Sequence, residues 1–175
     1  LQGIPELRSA IADKLRRQNG MDVTADEVIV TNGLTQASFA AFMAFLDAGD
    51  ECLLLAPYYP QHIGKAELAG AKVTIAPLDA ANNFSINRAL IEPLITPATR
   101  AIALINPCNP TGRVYTRDEL QILADIAQKH DLLVLSDEVY EEITYDGATH
   151  ISIASLPGMK ERTITMCAFT KSHAM

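Results

Sequence analysis

The feature that most constrains the fold of this chain is a series of short apolar runs, separated by stretches with helical character. In most of these runs hydrophobic residues follow one another directly, rather than alternating with polar residues. Continuous apolar runs are typical of strands in a parallel sheet that is covered on both faces. Six strands are predicted in this way, over residues 28–31, 52–55, 72–76, 100–105, 132–136 and 163–168.

Helix signals fall between the predicted strands. Pro5 can open a helix because its missing N–H costs nothing in the first turn, and Asn19-Gly20 ends that helix. Further helices are predicted after Gly33 to about residue 47, over 60–68, from Ser85 to about Leu94, and from the capping box Thr116–Glu119. This alternation predicts an α/β fold, with three layers doubly wound around a mainly parallel sheet.

Size, charge and cysteine content narrow the class of protein. The 175 residues, 49% of them hydrophobic, suit one domain over 1–175 with a sizeable core. The formal charge of −7 comes from interspersed acidic and basic residues, which leave no basic stripe for nucleic acid. No apolar run is long enough to span a membrane. The three cysteines show no metal-ligand spacing, so no metal site is predicted, and they favour a reducing, cytoplasmic location.

In doubly wound folds ligands bind where the carboxyl ends of the strands meet, so the residues after each predicted strand are the candidates for a site. Gly33, after the first strand, opens a helix whose free N–H groups at Leu34 and Thr35 suit a phosphate, although many helices start after glycine. Tyr59, after the second strand, can stack on a planar ring or simply pack against the sheet.

Three later strand ends carry more specific chemistry. Asn106-Pro-Cys-Asn109-Pro-Thr-Gly112 presents uncharged amide donors, or forms a tight turn. Asp137 directly follows an apolar strand, where a carboxylate needs a partner such as a protonated ring nitrogen; its alternative role is a helix N-cap. Lys171 also follows an apolar strand, where burial lowers the pKa of an amine and makes it a nucleophile for an aldehyde. The alternative is a lysine that extends into solvent from the sheet edge.

In their order and spacing, these motifs together resemble the large domain of class I/II aminotransferases, enzymes of fold type I that depend on pyridoxal 5′-phosphate (PLP). The resemblance extends over the whole chain, from Gly3-Ile-Pro-Glu-Leu-Arg8 to the lysine motif. It implies that Lys171 holds PLP as an internal aldimine and moves the α-proton of the substrate. It also implies that Asp137 pairs with the pyridinium nitrogen, and that Tyr140 and Asn109 hydrogen-bond the 3′ oxygen of the ring.

The same resemblance assigns the contacts to the rest of the cofactor. It implies that Tyr59 stacks on the ring face and that the backbone N–H groups of Leu34 and Thr35, after the turn at Gly33, hold the phosphate. Many members of the family carry a serine three residues before the lysine. This chain has Ala168 at that position, which puts one phosphate contact in question.

The resemblance also predicts groups that this chain does not contain. Members of the family continue past the lysine to arginines that bind the phosphate and the substrate carboxylate. We therefore expect residues 1–175 to be part of a longer enzyme, with a sheet that is incomplete at its C-terminus, and to be inactive alone. The whole protein is expected to be a cytoplasmic homodimer that moves an amino group between an amino acid and a 2-oxo acid. No residue of the chain selects among acidic, aromatic or branched donors.

Two other functions stay open at this point. A carbon–sulfur lyase, a decarboxylase or a cyclopropane-forming synthase of the same fold type would keep the same lysine, aspartate and asparagine. A transcription regulator can use an aminotransferase-like domain as an amino-acid sensor, with a basic helix-turn-helix module upstream that residues 1–25 do not show. A non-catalytic relative is disfavoured, because Lys171, Asp137, Tyr140 and Asn109 are all present.

Overall fold

A computed structural model of the chain describes residues 2–175 and contains a five-stranded sheet. The strands are β1 (Glu51–Ala56), β2 (Lys72–Pro77), β3 (Thr99–Ile105), β4 (Leu133–Asp137) and β5 (Thr163–Met166). They lie in the order β2-β1-β3-β4-β5, and each neighbouring pair is parallel. The predicted α/β fold around a parallel sheet is therefore confirmed.

Helices cover both faces of this sheet. They are α1 (Pro5–Asn19), α2 (Gly33–Phe45), α3 (Gln61–Leu68), α4 (Arg88–Ile91), α5 (Arg117–Lys129) and α6 (Phe169–Ser172). Successive residues of a strand face opposite sides, so Leu53 packs in one apolar cluster with Leu120 of α5, and Leu54 packs in another with Phe42 of α2 and Ala66 of α3. Burial on both faces explains why the strands are continuous apolar runs.

None of the helices within residues 2–175 combines the length and the apolar character that crossing a membrane requires.

The ends of two helices follow their predicted signals. Pro5 is the first residue of α1, and Gly20 ends that helix at φ 67°, a left-handed conformation that glycine adopts at little cost. At the start of α5, the Thr116 hydroxyl accepts the Glu119 N–H at 3.3 Å, and the Glu119 carboxylate accepts the Thr116 N–H at 2.8 Å. Both halves of the predicted capping box are therefore present.

The predicted strand over 28–31 is wrong. This segment is extended, but it lies beside α1, where Val28 packs in a small apolar cluster with Ala12. Its Val30 N–H donates to the Gln2 carbonyl at 2.9 Å, and no strand of residues 2–175 pairs with it. The apolar character of the segment therefore reflects packing on a helix rather than a place in the sheet.

The helix predicted from Ser85 to about Leu94 starts later than predicted, and it ends irregularly at Pro93, as that proline predicts. The helix α4 begins after Asn87, whose side-chain oxygen accepts the Ala89 N–H at 2.9 Å. Pro93 has no N–H to continue the α-helical pattern, and the chain passes into a 3₁₀ turn over 92–94. A better capping residue and a proline thus shorten the helix to four residues.

Candidate functional site at the carboxyl edge of the sheet

The asparagine loop and the aspartate meet at the carboxyl edge of the sheet. The register of β3 and β4 places Ile105 opposite Asp137, and the next residue, Asn106, donates its N–H to the Asp137 carbonyl at 3.0 Å. On the other side, Asp137 lies opposite Met166 of β5. The parallel sheet therefore brings the ends of three strands together, as the positions of the motifs predict.

Asp137 is the last residue of β4, and it is only 4% exposed. One carboxylate oxygen, Oδ1, accepts the Val139 N–H at 3.2 Å, and the other, Oδ2, lies 3.4 Å from His62 Nε2. No helix begins here, because residues 139–142 form turns, so the N-cap alternative does not apply. A buried carboxylate at this edge is suited to pair with a cation.

Sequence analysis missed His62, which is buried on α3. Its ring stacks on Phe42 with 5.6 Å between centroids and meets Tyr59 edge-on at 5.8 Å. Nε2 lies 3.4 Å from Oδ2 of Asp137, whereas Nδ1 has no hydrogen-bond partner within residues 2–175. One signal could have found this histidine: it follows Tyr59 by three residues, at the start of a helix that leaves the same edge of the sheet.

Glu138 is a second residue that sequence analysis missed. It is 1% exposed, and its Oε1 accepts the hydroxyls of Ser136 at 2.9 Å and Ser152 at 2.8 Å. Its Oε2 lies 2.9 Å from His150 Nε2, and His150 Nδ1 lies 3.4 Å from Asn106 Nδ2. This network ties the segment after β4 to the asparagine loop. The acidic residue beside Asp137, after an apolar strand, was the signal for it.

The lysine and the tyrosine of the predicted site are close to each other. Lys171 lies on α6, with Nζ 5.9 Å from the ring centroid of Tyr140, a distance typical of a cation–π contact. Lys171 was expected to be buried at the end of a strand. Instead, β5 ends at Met166, and the short helix α6 carries Lys171 to an exposed position. Ala168, directly before α6, offers no side-chain hydrogen bond.

The start of α2 has the predicted form of a helix with free N–H groups. Gly33 is its first residue, with φ 74°, and a Cβ there would meet nothing within 4 Å, so backbone conformation rather than space favours glycine. The N–H groups of the first helical turn have no partner within a helix, which leaves those of Leu34 and Thr35 available to an anion. Leu34 is half-buried and Thr35 is exposed.

Lys65 is a third residue that sequence analysis missed. It is buried on α3, and its Nζ donates to the Ser38 hydroxyl of α2 at 2.7 Å. Burial lowers the pKa of Lys65, and the negative charge of Asp137 opposes that shift. Nothing in the local sequence distinguishes this lysine from a solvated helical lysine.

Tyr59 and Asn109 are half-buried in the loops that follow β1 and β3. These two loops are joined by the buried Cys108, whose thiol lies 3.6 Å from the Pro57 carbonyl. Tyr59, predicted to stack on a ring, and Asn109, predicted to donate from its amide, therefore lie at the same edge of the sheet as Asp137.

A cluster of possible metal ligands lies beside this edge. Single ligand atoms of Glu138, Glu141 and Cys167 are within 4.8 Å of one another. Burial raises the pKa of the Cys167 thiol well above its ordinary value, which disfavours the thiolate that binds metals. Glu141 is paired with Lys14 at 2.5 Å and accepts from Asn19 at 2.6 Å. The cluster is therefore a hydrogen-bonded group that needs no ion to satisfy it.

The chain is similar to known proteins over its whole length. Residues 1–175 match the family model described as aminotransferase class I and II. An aspartate aminotransferase of Pyrococcus abyssi is 43% identical over 174 residues, which are 99% of this chain and 45% of that protein. A bifunctional aspartate aminotransferase and glutamate/aspartate-prephenate aminotransferase of Petunia hybrida is 44% identical over 174 residues, 99% of this chain and 36% of its own length.

A solved structure is similar over nearly the same length of this chain. An aromatic aminotransferase from Pyrococcus horikoshii superimposes with a TM-score of 0.97 and 43% identity, over 99% of this chain and 47% of that one. This chain therefore spans less than half the length of the relatives it matches.

Proposed function

This chain belongs to the class I and II aminotransferase family, and on that premise we propose that the whole protein is a PLP-dependent aminotransferase. Its substrates are an amino acid and a 2-oxo acid, between which an amino group moves. One observation carries the proposal: buried Asp137 ends β4 three residues before Tyr140, and Lys171, on α6 beyond β5, lies over the Tyr140 ring, in a chain that matches the family from end to end.

The residues at this edge fit PLP in chemical character. The buried carboxylate of Asp137 suits a protonated ring nitrogen, and the free N–H groups at the start of α2 suit a phosphate. We assign the ring nitrogen to Asp137 and the phosphate to Leu34 and Thr35, after the turn at Gly33. When bound, PLP supplies an electron sink that stabilises negative charge at the substrate's α-carbon.

Five side chains complete the proposed cofactor site. Lys171 carries PLP covalently and then moves a proton to and from the α-carbon of the substrate. Tyr140 and Asn109 hydrogen-bond the oxygen of the ring, and Tyr59 stacks on its face. His62 Nε2 lies 3.4 Å from Asp137 Oδ2, and we assign His62 the role of keeping that carboxylate directed at the ring nitrogen.

We propose that the rest of the protein covers the exposed Lys171 and supplies cationic groups for the phosphate and the substrate carboxylate. We also propose that the protein is a cytoplasmic homodimer. The relatives carry names for aspartate, prephenate and aromatic aminotransferases at similar identity, so the proposal extends to α-amino acids as a class.

The test uses the full-length protein. PLP is added, the covalent linkage is reduced with borohydride, and the labelled peptide is mapped by mass spectrometry. The label is expected on Lys171, and Lys171→Ala should abolish it. In parallel, a panel of amino acids is assayed with 2-oxo acid acceptors. Label on another lysine, or product formation that needs no 2-oxo acid, would overturn the assignment.

A further inference from the structure

Lys65 is a buried lysine in an unusual setting. It is 7% exposed, and its only hydrogen bond within residues 2–175 goes to the Ser38 hydroxyl, at 2.7 Å. Ser38 is fully buried and neutral, and no carboxylate of the described residues lies within the 4.0 Å of an ion pair. The ammonium therefore has a neutral partner where a buried charge normally has an anion.

Such a charge works against the stability of the cofactor-free fold. An unbranched apolar side chain of similar length would fill the same space without a desolvation cost. Burial lowers the pKa of Lys65 for the same reason, and the negative charge of Asp137 only partly opposes this. Packing alone thus gives no reason for a lysine at this position.

The hydrogen bonds of Ser38 point to where the charge is used. Its hydroxyl accepts from Lys65 and has a single proton for two carbonyl groups, those of Leu34 at 2.8 Å and Thr35 at 3.2 Å. These are the residues whose N–H groups form the free start of α2. Lys65 is therefore linked through one hydroxyl to the first turn of that helix.

The same lysine lies one helical turn from His62, which contacts Asp137. The charge of Lys65 also favours the ionised form of Asp137, but its direct polar link, through Ser38, is to the start of α2, where the phosphate is assigned. Inside a protein such a charge is weakly screened, so it favours anions over distances of several ångströms.

We propose that Lys65 is a positioning residue for the cofactor phosphate, whose buried charge acts through Ser38 on the first turn of α2 and raises the affinity of that turn for a phosphate dianion. This inference rests on the proposed function. Under this proposal, Lys65 makes the site bind PLP in preference to pyridoxal, which has the same ring but no phosphate.

The experiment compares PLP with pyridoxal, which lacks the phosphate, on the full-length enzyme. For Lys65→Met, the Kd for PLP is expected to rise about tenfold while the Kd for pyridoxal changes less than about twofold. The melting temperature of the cofactor-free variant should stay the same or rise, because a buried charge is removed. A purely structural role would lower that melting temperature and weaken both ligands alike.

Two further variants make the test specific. Lys65→Gln keeps a donor for Ser38 without the charge, so it should lose the preference for PLP as Lys65→Met does. Lys72→Met removes a lysine that is exposed at the opposite edge of the sheet, and it should keep the wild-type ratio of the two Kd values. An unchanged ratio in Lys65→Gln or Lys65→Met overturns the role of Lys65 alone. A wild-type enzyme that binds no PLP overturns the proposed function and this inference together.

Discussion

His62 Nε2 lies 3.4 Å from Asp137 Oδ2, and both side chains are buried. The two residues come from different elements, α3 and the end of β4, which meet only because α3 packs on the sheet beside its carboxyl edge. The contact leaves the other oxygen of Asp137 bonded to the Val139 N–H at 3.2 Å. These two contacts hold the carboxylate in one orientation.

Asp137→Asn should leave the fold intact and lower turnover of the full-length enzyme by about 100-fold or more, the cost typical of removing a group that stabilises developing charge. A neutral amide cannot keep the ring nitrogen protonated. The measurement is steady-state transamination with circular dichroism as the check on folding. Asp131→Asn, at an exposed aspartate that pairs with Arg162, is the matched control. Near wild-type turnover of Asp137→Asn would contradict the role of the aspartate.

His62→Phe should weaken the hold on Asp137 while preserving the stacking against Phe42. Loss of the polar neighbour of a buried charged group costs about 1–3 kcal/mol, so turnover is expected to fall about fivefold or more. The visible absorbance of bound cofactor, followed against pH, should shift because the carboxylate pairs less well with the ring nitrogen. His62→Gln, which retains an N–H donor, should recover part of the loss. An absorbance profile identical to that of the wild type would show that His62 only fills space.

Cys52 should not react with iodoacetamide in the folded protein at pH 8.5. Burial on β1 raises the pKa of its thiol to about 12, so only a trace of the reactive thiolate forms at that pH. Unfolding in guanidinium should restore the ordinary value of 9.0 and allow labelling. Mass spectrometry of the labelled peptide compares the two conditions. Rapid labelling of the folded protein would mean that β1 is less well covered than the sheet packing indicates.

Glu92 should stabilise the contact between α4 and α5 in a pH-dependent way. Hydrogen bonds from Lys129 at 2.7 Å, His130 at 3.0 Å and Arg88 at 3.3 Å lower its pKa to about 2, from an ordinary value of 4.5. Because the folded carboxyl binds its proton less tightly, its stabilisation is present above pH 4.5 and is lost as the pH falls towards 2.

The melting temperature of Glu92→Gln should therefore be lower than that of the wild type at pH 7, and the two should converge between about pH 4.5 and 2. Glu67→Gln, at an exposed position of α3, is the control and should show no such convergence. A difference between wild type and Glu92→Gln that stays constant down to pH 2 would contradict the lowered pKa.

Much of the site could be predicted from local sequence because its residues follow strands. Asp137 ends β4, Tyr59 lies three residues beyond β1 and Asn109 lies four residues beyond β3, and parallel strands bring these carboxyl ends to one edge. The same reasoning was wrong for residues 28–31, since an apolar run of that length also packs well against a helix. It also misjudged the exposure of Lys171, because β5 stops before the lysine and a short helix intervenes.

The sequence by itself determined the order in which β1 to β5 and α1 to α5 follow one another, the capping of α1 and α5, and the placement of the motif residues near strand ends. These depend on spacing, propensity and capping within a few residues of one another. Only the tertiary structure decided that His62 meets Asp137, that Glu138 joins His150 to Asn106, and that Lys65 donates to Ser38. Each of these contacts joins residues that are distant in the chain. Which polar groups meet inside the protein depends on how the helices and loops pack against the sheet. No pattern of neighbouring residues predicts this packing.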